Sequence, residues 1–228
     1  DVEDAAGNIT SVTLKLIVEY SSSVAVVHNQ AELETALASS SITKIIFGNA
    51  ITTDAQIIAD RDVMIDGAGF SLTVGSDLGT VNGSKHAFGA YSADISVKDL
   101  TIDSDGLAYG VSTYDEAALT LENVSFENSK GAGLTVNGST VTATGLTTTG
   151  NAWGAVNVDS GSGVLVGSSF ELVSGTLSEV YQIWSDTAET AGAQPVTVTA
   201  AGYTPVVNAE GVTIWTNRPD TLDAEIAS

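Results

Sequence analysis

From His86 to Trp184 the apolar and polar positions of the chain recur in units of about 23 residues, each carrying short runs of strict alternation. A step ending in glycine marks each unit: His86-Ala87-Phe88-Gly89, Leu107-Ala108-Tyr109-Gly110, Lys130-Gly131-Ala132-Gly133 and Asn151-Ala152-Trp153-Gly154. Aligning the strands that follow gives an apolar or small column, Phe88, Val111, Leu134, Val156 and Tyr181, and a second, Ala90, Thr113, Val136, Val158 and Ile183. Between and after these fall Gly89, Ser112, Thr135, Asn157 and Gln182, then Tyr91, Tyr114, Asn137, Asp159 and Trp184. Successive strand residues point to opposite faces, so the first two columns face a core and the last two face outward. A second strand per unit repeats through Ile95 and Val97, Leu119 and Leu121, Val141 and Ala143, and Val164 and Val166.

Such a unit cannot bury its apolar face alone, whereas stacked copies can. The pattern therefore predicts an all-β parallel solenoid of about seven coils over residues 44–215, each coil adding about 4.8 Å of rise. An antiparallel sandwich is the alternative, and the four glycine steps argue against it. Ahead of the coils, Asn29 as N-cap and Glu32 three residues on predict a short amphipathic helix over 30–38, with Ala31, Leu33, Ala36 and Leu37 on its apolar side. Its place before the first coil is that of a cap over the open end of the core.

Residues 1–22 stand apart. Gly7-Asn8 offers a turn, and Ser11 to Val18 alternates as a strand, belonging either to a preceding module or to the edge of the first coil. The solenoid domain is expected over 23–217. At its end Trp215 is placed to cover the core, and 218–228 reads as an acidic tail or linker.

The run from Ala31 to Leu72, with its helix, "TKIIFGNAIT" and "VMIDGAGFSLTV", resembles the entry to right-handed parallel β-helix proteins of the pectate-lyase-like superfold. "YGVSTYDEAALTLENVSFENSKGAGLTVNGSTVTATGLTT" is similar to the coils of that group. The resemblance implies a right-handed parallel β-helix and says little about activity, because such coils serve lyases, hydrolases, phage tailspikes and non-catalytic bacterial surface proteins alike.

Charge narrows the partners. Seven basic residues against 28 acidic ones leave a formal charge of −21, which argues against nucleic acid and anionic membrane surfaces. No run has the length of a membrane span, so no membrane insertion is expected. Without cysteine there is no disulfide or thiolate metal site. The Thr, Ser, Asn and Gly richness with few lysines fits an extracellular or cell-surface protein, with further modules flanking it in a longer chain.

Two sets of side chains are candidates for chemistry. Asp103 and Glu127 lie one period apart, and Asp99 and Asn123 likewise, so each pair stacks at about 5 Å. That separation suits a retaining glycosidase pair or a calcium site. The resemblance implies that related lyases hold calcium with such acids and abstract a proton with Arg or Lys. Here Arg61 and Arg218 fall at no matched position in the repeat, and Lys98 and Lys130 are unpaired by the periodicity. His28 and His86 have no metal-ligand spacing, so no metal residue is assigned.

The outward column Tyr91, Tyr114, Asn137, Asp159 and Trp184, with Asn157 and Gln182 beside it, offers aromatic faces for sugar rings and amides for their hydroxyls. The expectation is a non-catalytic β-helix module of a secreted or surface-anchored bacterial protein, in an adhesion or spacer role, with a glycan or host-surface ligand on this strip. A polysaccharide lyase or glycoside hydrolase using Asp99, Asp103 and Glu127, and a purely structural stalk, stay open as alternatives.

Overall fold

A computed structural model describes residues 2–3, 9–10, 22–78, 85–159, 166–185, 194–209 and 211–218. The body is a right-handed parallel β-helix of about seven turns with one short helix near its N-terminus. Each full coil carries three faces. The first and second belong to one twelve-stranded sheet and the third to an eight-stranded sheet. In the coil spanning 94–114, for example, the faces are Asp94–Lys98, Thr101–Asp103 and Tyr109–Tyr114. Further on, the ten-residue strands Thr140–Thr149 and Ser168–Leu177 each bend through the first and second faces without a break.

Alternation places one apolar column per face inside. On the first face, Ile45, Ile65, Val97, Leu121, Ala143 and Leu172 stack in register. On the second, Ile51, Leu72, Ile102 and Phe126 do the same. On the third, Ile57, Phe88, Val111, Leu134, Val156 and Ile183 form the ladder. All sixteen side chains are buried. At about 1.5–3 kcal/mol per buried side chain of this size, these ladders supply the main drive for coil stacking.

Corners between the first two faces are made by single left-handed residues. Asp99 (φ 48°), Asn123 (φ 53°) and Gly145 (φ 69°) occupy this corner in three successive coils. Asn123 Nδ2 donates to Asp99 Oδ1 at 3.1 Å, and a Cβ on Gly145 would stand 2.6 Å from Asn123 Oδ1. Asp, Asn and Gly recur here because they tolerate positive φ at least cost.

The helix Gln30–Ala38 forms as expected. Asn29 accepts from the Glu32 N–H, while Glu32 reaches back to the His28 N–H, one residue earlier than in the usual reciprocal box. Leu33, Ala36 and Leu37 are buried against the end of the core. Arg61, unmatched in the repeat, closes the other helix end: Nε donates to the Leu37 carbonyl at 2.7 Å and Nη2 to that of Ala36 at 2.8 Å. At the far end the strands Thr204–Val207 and Thr213–Thr216 form an antiparallel hairpin, and the second runs antiparallel to Ile183–Ser185. Ile214 is fully buried there, and Trp215 is half-buried against the core.

From Phe88 to Val156 the columns stack as aligned, with Gly89 beside Ser112 and Val111 beside Leu134. Two expectations of register further on need correction. The partners of Val141 and Ala143 are Phe170 and Leu172, not Val164 and Val166. The next described strand begins at Ser168, and Val164 lies outside the described residues. Finally, Ile183 rather than Tyr181 stacks on Val156, a slip of two residues that preserves the face. The strand expected at Ser11–Val18 and the tail beyond Arg218 also lie outside the described residues, as does the turn at Gly7-Asn8; Val2–Glu3 and Ile9–Thr10 pair antiparallel.

Candidate functional site

On the outer side of the third face, aromatic rings lie down on the sheet because glycine leaves them room. A Cβ on Gly89 would stand 2.6 Å from Cζ and Oη of Tyr91, so the ring covers that residue. Tyr91 Oη accepts from Gln56 Nε2 at 2.8 Å and sits 3.2 Å from Ser112 Oγ, which pins the ring. Tyr114 follows one coil on, its ring centroid 5.7 Å from that of Tyr91. Tyr109 and Trp153 meet over Gly131, where a Cβ would lie 2.3 Å from Tyr109 Cδ1 and 3.2 Å from Trp153 Cε3. Their centroids are 5.1 Å apart at 68°. At Gly154 a Cβ would meet the Tyr181 carbonyl oxygen first and then Trp184 Cζ3 at 2.8 Å, and the Trp184 and Tyr181 ring centroids are 6.2 Å apart. His86 is buried between Tyr109 at 5.8 Å and Tyr114 at 6.4 Å.

Of the residues expected on the outward strip, Tyr91, Tyr114, Asn137 and Asp159 do share a side of the third face, all partly exposed. Burial pushes the Tyr114 hydroxyl above its ordinary pKa, with the charges of Tyr91 and Asp159 adding to the shift, so it stays a neutral donor at physiological pH. Asn137 Oδ1 is buried without a hydrogen-bond partner. Trp184 pairs in register with Asn157 and therefore belongs to the neighbouring column, that of Gly89, Ser112 and Thr135. Gln182 is a correction: it is buried, its Nε2 donates to the Leu177 carbonyl and Asn217 Oδ1, and its Oε1 accepts from Thr216 Oγ1 and the Asn217 N–H. It ties the last coil together and is not on the surface. Conversely, Tyr109 and Trp153 join the strip unforeseen. Three of the four steps place an aromatic immediately before glycine, Phe88, Tyr109 and Trp153, but Phe88 is buried in the core. Trp153 is 55% exposed, the most open aromatic ring among the described residues.

A family model describing a pectate lyase-like adhesive domain matches residues 24–153, more than half of the chain and five of its coils in whole or part. The chain belongs to this adhesive domain family. Neither a search of curated proteins nor one of solved structures finds a match.

In this adhesive domain the acidic candidates are engaged by their own turns. Asp103 and Glu127 are register partners on the second face. Asp103 Oδ1 accepts from the Asp105 N–H and from Asn128 Nδ2, and Glu127 Oε1 accepts from Ser125 Oγ. Asp99 accepts from Asn123 and from Lys98 Nζ at 3.2 Å, beside a shallow cleft of about 350 Å³ lined also by Gly69, Ser125 and Thr147. Among the described residues no three Asp, Glu or His side chains cluster.

The basic residues are equally committed. Lys98 lies 3.0 Å from Asp66, which Lys44 also approaches at 3.6 Å. Hydrogen bonds to Asp66 and then to Asp99 raise the Lys98 pKa, the opposite of what a proton-abstracting amine requires. Burial pushes the Asp66 carboxyl up, but the Lys98 hydrogen bond, the Ala68 N–H and the charges of Lys98 and Lys44 outweigh it and hold the pKa below the ordinary value. Arg218 donates to the Glu179 carbonyl, and Lys130 pairs with Asp77 at 2.7 Å. A concavity of about 500 Å³ over Met64, Ser96 and Thr120 is on the first face, away from the aromatic strip.

Proposed function

We infer that this adhesive domain is a non-catalytic module of a secreted or surface-anchored bacterial protein, and that it adheres through glycans held on the outward side of the third face. One observation carries the reading: Tyr91, Tyr109, Trp153 and Trp184 lie over glycine seats on the sheet surface. Rings seated in this way stay partly open to solvent, Trp153 most of all, and an open aromatic face can stack on the C–H face of a sugar. The polar groups of Asn137, Asn157 and Asp159 border the rings and supply hydrogen bonds to hydroxyls. The family's adhesive description supports a surface role. The commitment of Asp99, Asp103, Glu127 and Lys98 to turn and ion-pair contacts supports the absence of catalysis.

A glycan array probed with the wild-type domain tests this. Tyr114→Ala and Trp184→Ala should each lose most of the signal while keeping the circular dichroism of the parent. An array pattern unchanged in both variants sinks the proposal, as would cleavage of any polysaccharide in a reducing-end assay for its non-catalytic half.

A further inference from the structure

The rings of the third face follow the solenoid axis as well as crossing the strands. His86 pairs in register with Tyr109, Tyr109 meets Trp153 over Gly131, and Trp184 covers Gly154. His86 is buried, so the open run starts at Tyr109 and reaches the coil of Trp184, three coil steps at about 4.8 Å each. A pyranose chain with equatorial linkages repeats along its length at nearly the same interval. Such sugars also direct their C–H bonds to the two ring faces and their hydroxyls to the rim, which suits a row of aromatic side chains with amides at its edges. Charge narrows the class further: Asp115 and Glu116 follow Tyr114 directly, Asp159 borders the strip, and the whole chain carries −21.

Resting on the glycan reading above, we propose that the ligand is an uncharged linear polysaccharide of equatorially linked pyranoses lying along the solenoid axis, about one sugar per coil, with Tyr109 and Trp153 as its central contacts. The coil rise acts as the ruler. Affinity then grows with chain length until the run of rings is filled, at about four sugars, and each added unit stacks on a floor already held in place by Gly131 and Gly154.

Titration calorimetry with cello-oligosaccharides of one to six units, and with oligogalacturonates of the same lengths, tests this on the whole chain. The expected result is an association constant that rises at least tenfold from the disaccharide to the tetramer and then levels, with no heat from the oligogalacturonates. Trp153→Ala should lower tetramer affinity at least tenfold, and Met64→Ala, on the first face, should leave it unchanged. Equal affinity for monosaccharide and tetramer, equal binding of the uronates, or indifference to Trp153→Ala overturns this inference while leaving glycan binding intact. No binding of any oligosaccharide, with an empty glycan array, overturns both.

Discussion

Glycine has two distinct jobs on the third face, and substitution separates them. At Gly131 a Cβ meets only the rings of Tyr109 and Trp153, which can swing away, so Gly131→Ala should cost about 1 kcal/mol and chiefly weaken ligand binding. At Gly110 it would stand 2.1 Å from the backbone carbonyl oxygen of Gly133, which cannot move without breaking coil pairing. Gly110→Ala should therefore destabilise by about 3 kcal/mol or more, and equal unfolding midpoints for the two variants would contradict the distinction. Asp66 is a pH-dependent residue. Its folded pKa is depressed, so its stabilisation is fully present above the ordinary carboxyl value of 3.8 and is lost as pH falls through the lower folded value. Asp66→Asn should be less stable than wild type by about 1–2 kcal/mol at pH 7, a range reduced for a partly exposed ion pair, and the gap should close near pH 2. A gap that persists in acid would assign the loss to packing instead.

Among elements, the capping helix and the inward ladders were the most legible in the sequence, and the outward register of the last coils the least. Helix 30–38 announced itself through Asn29 and Glu32, because capping chemistry is local. Arg61 was opaque for the opposite reason: its guanidinium closes the helix from 24 residues away in sequence. Ladder positions such as Val97 and Leu121 could be read from alternation alone, since a wrong register would bury polar residues. Beyond Asp159 the sequence period is broken, and a slip of two residues keeps the face unchanged, so Tyr181 and Ile183 could not be told apart by pattern. That slip moved Trp184 into another column, while Tyr109 and Trp153 stand ahead of the aligned columns and were not marked by them. Asn29→Ala should cost about 1 kcal/mol through the lost cap, measurable by urea unfolding, whereas Phe126→Ala, in a fully packed ladder, should cost about 3–5 kcal/mol. Equal costs would mean that the helix, not the ladder, limits stability.

For the molecule as a whole, the charge of −21 is set against only four ion pairs from lysine to carboxylate among the described residues. Self-repulsion should make the fold less stable at low ionic strength, so the thermal midpoint should climb as sodium chloride is raised from about 10 to 150 mM, where the screening length shortens to about 8 Å. A flat response would show that the acids are too dispersed to interact. One feature of the architecture also bears on work under load. Hydrogen bonds between coils point along the solenoid axis, from Ile45 through to Leu172, so tension applied between the two ends pulls directly against them and frees a single coil before it strains the next. An adhesive built this way yields like a zipper. Each coil of about 23 residues should release roughly 75 Å of slack at about 3.3 Å per residue, and force spectroscopy should record a series of such low steps, so that an adhesive contact would not bear the whole of a sudden pull.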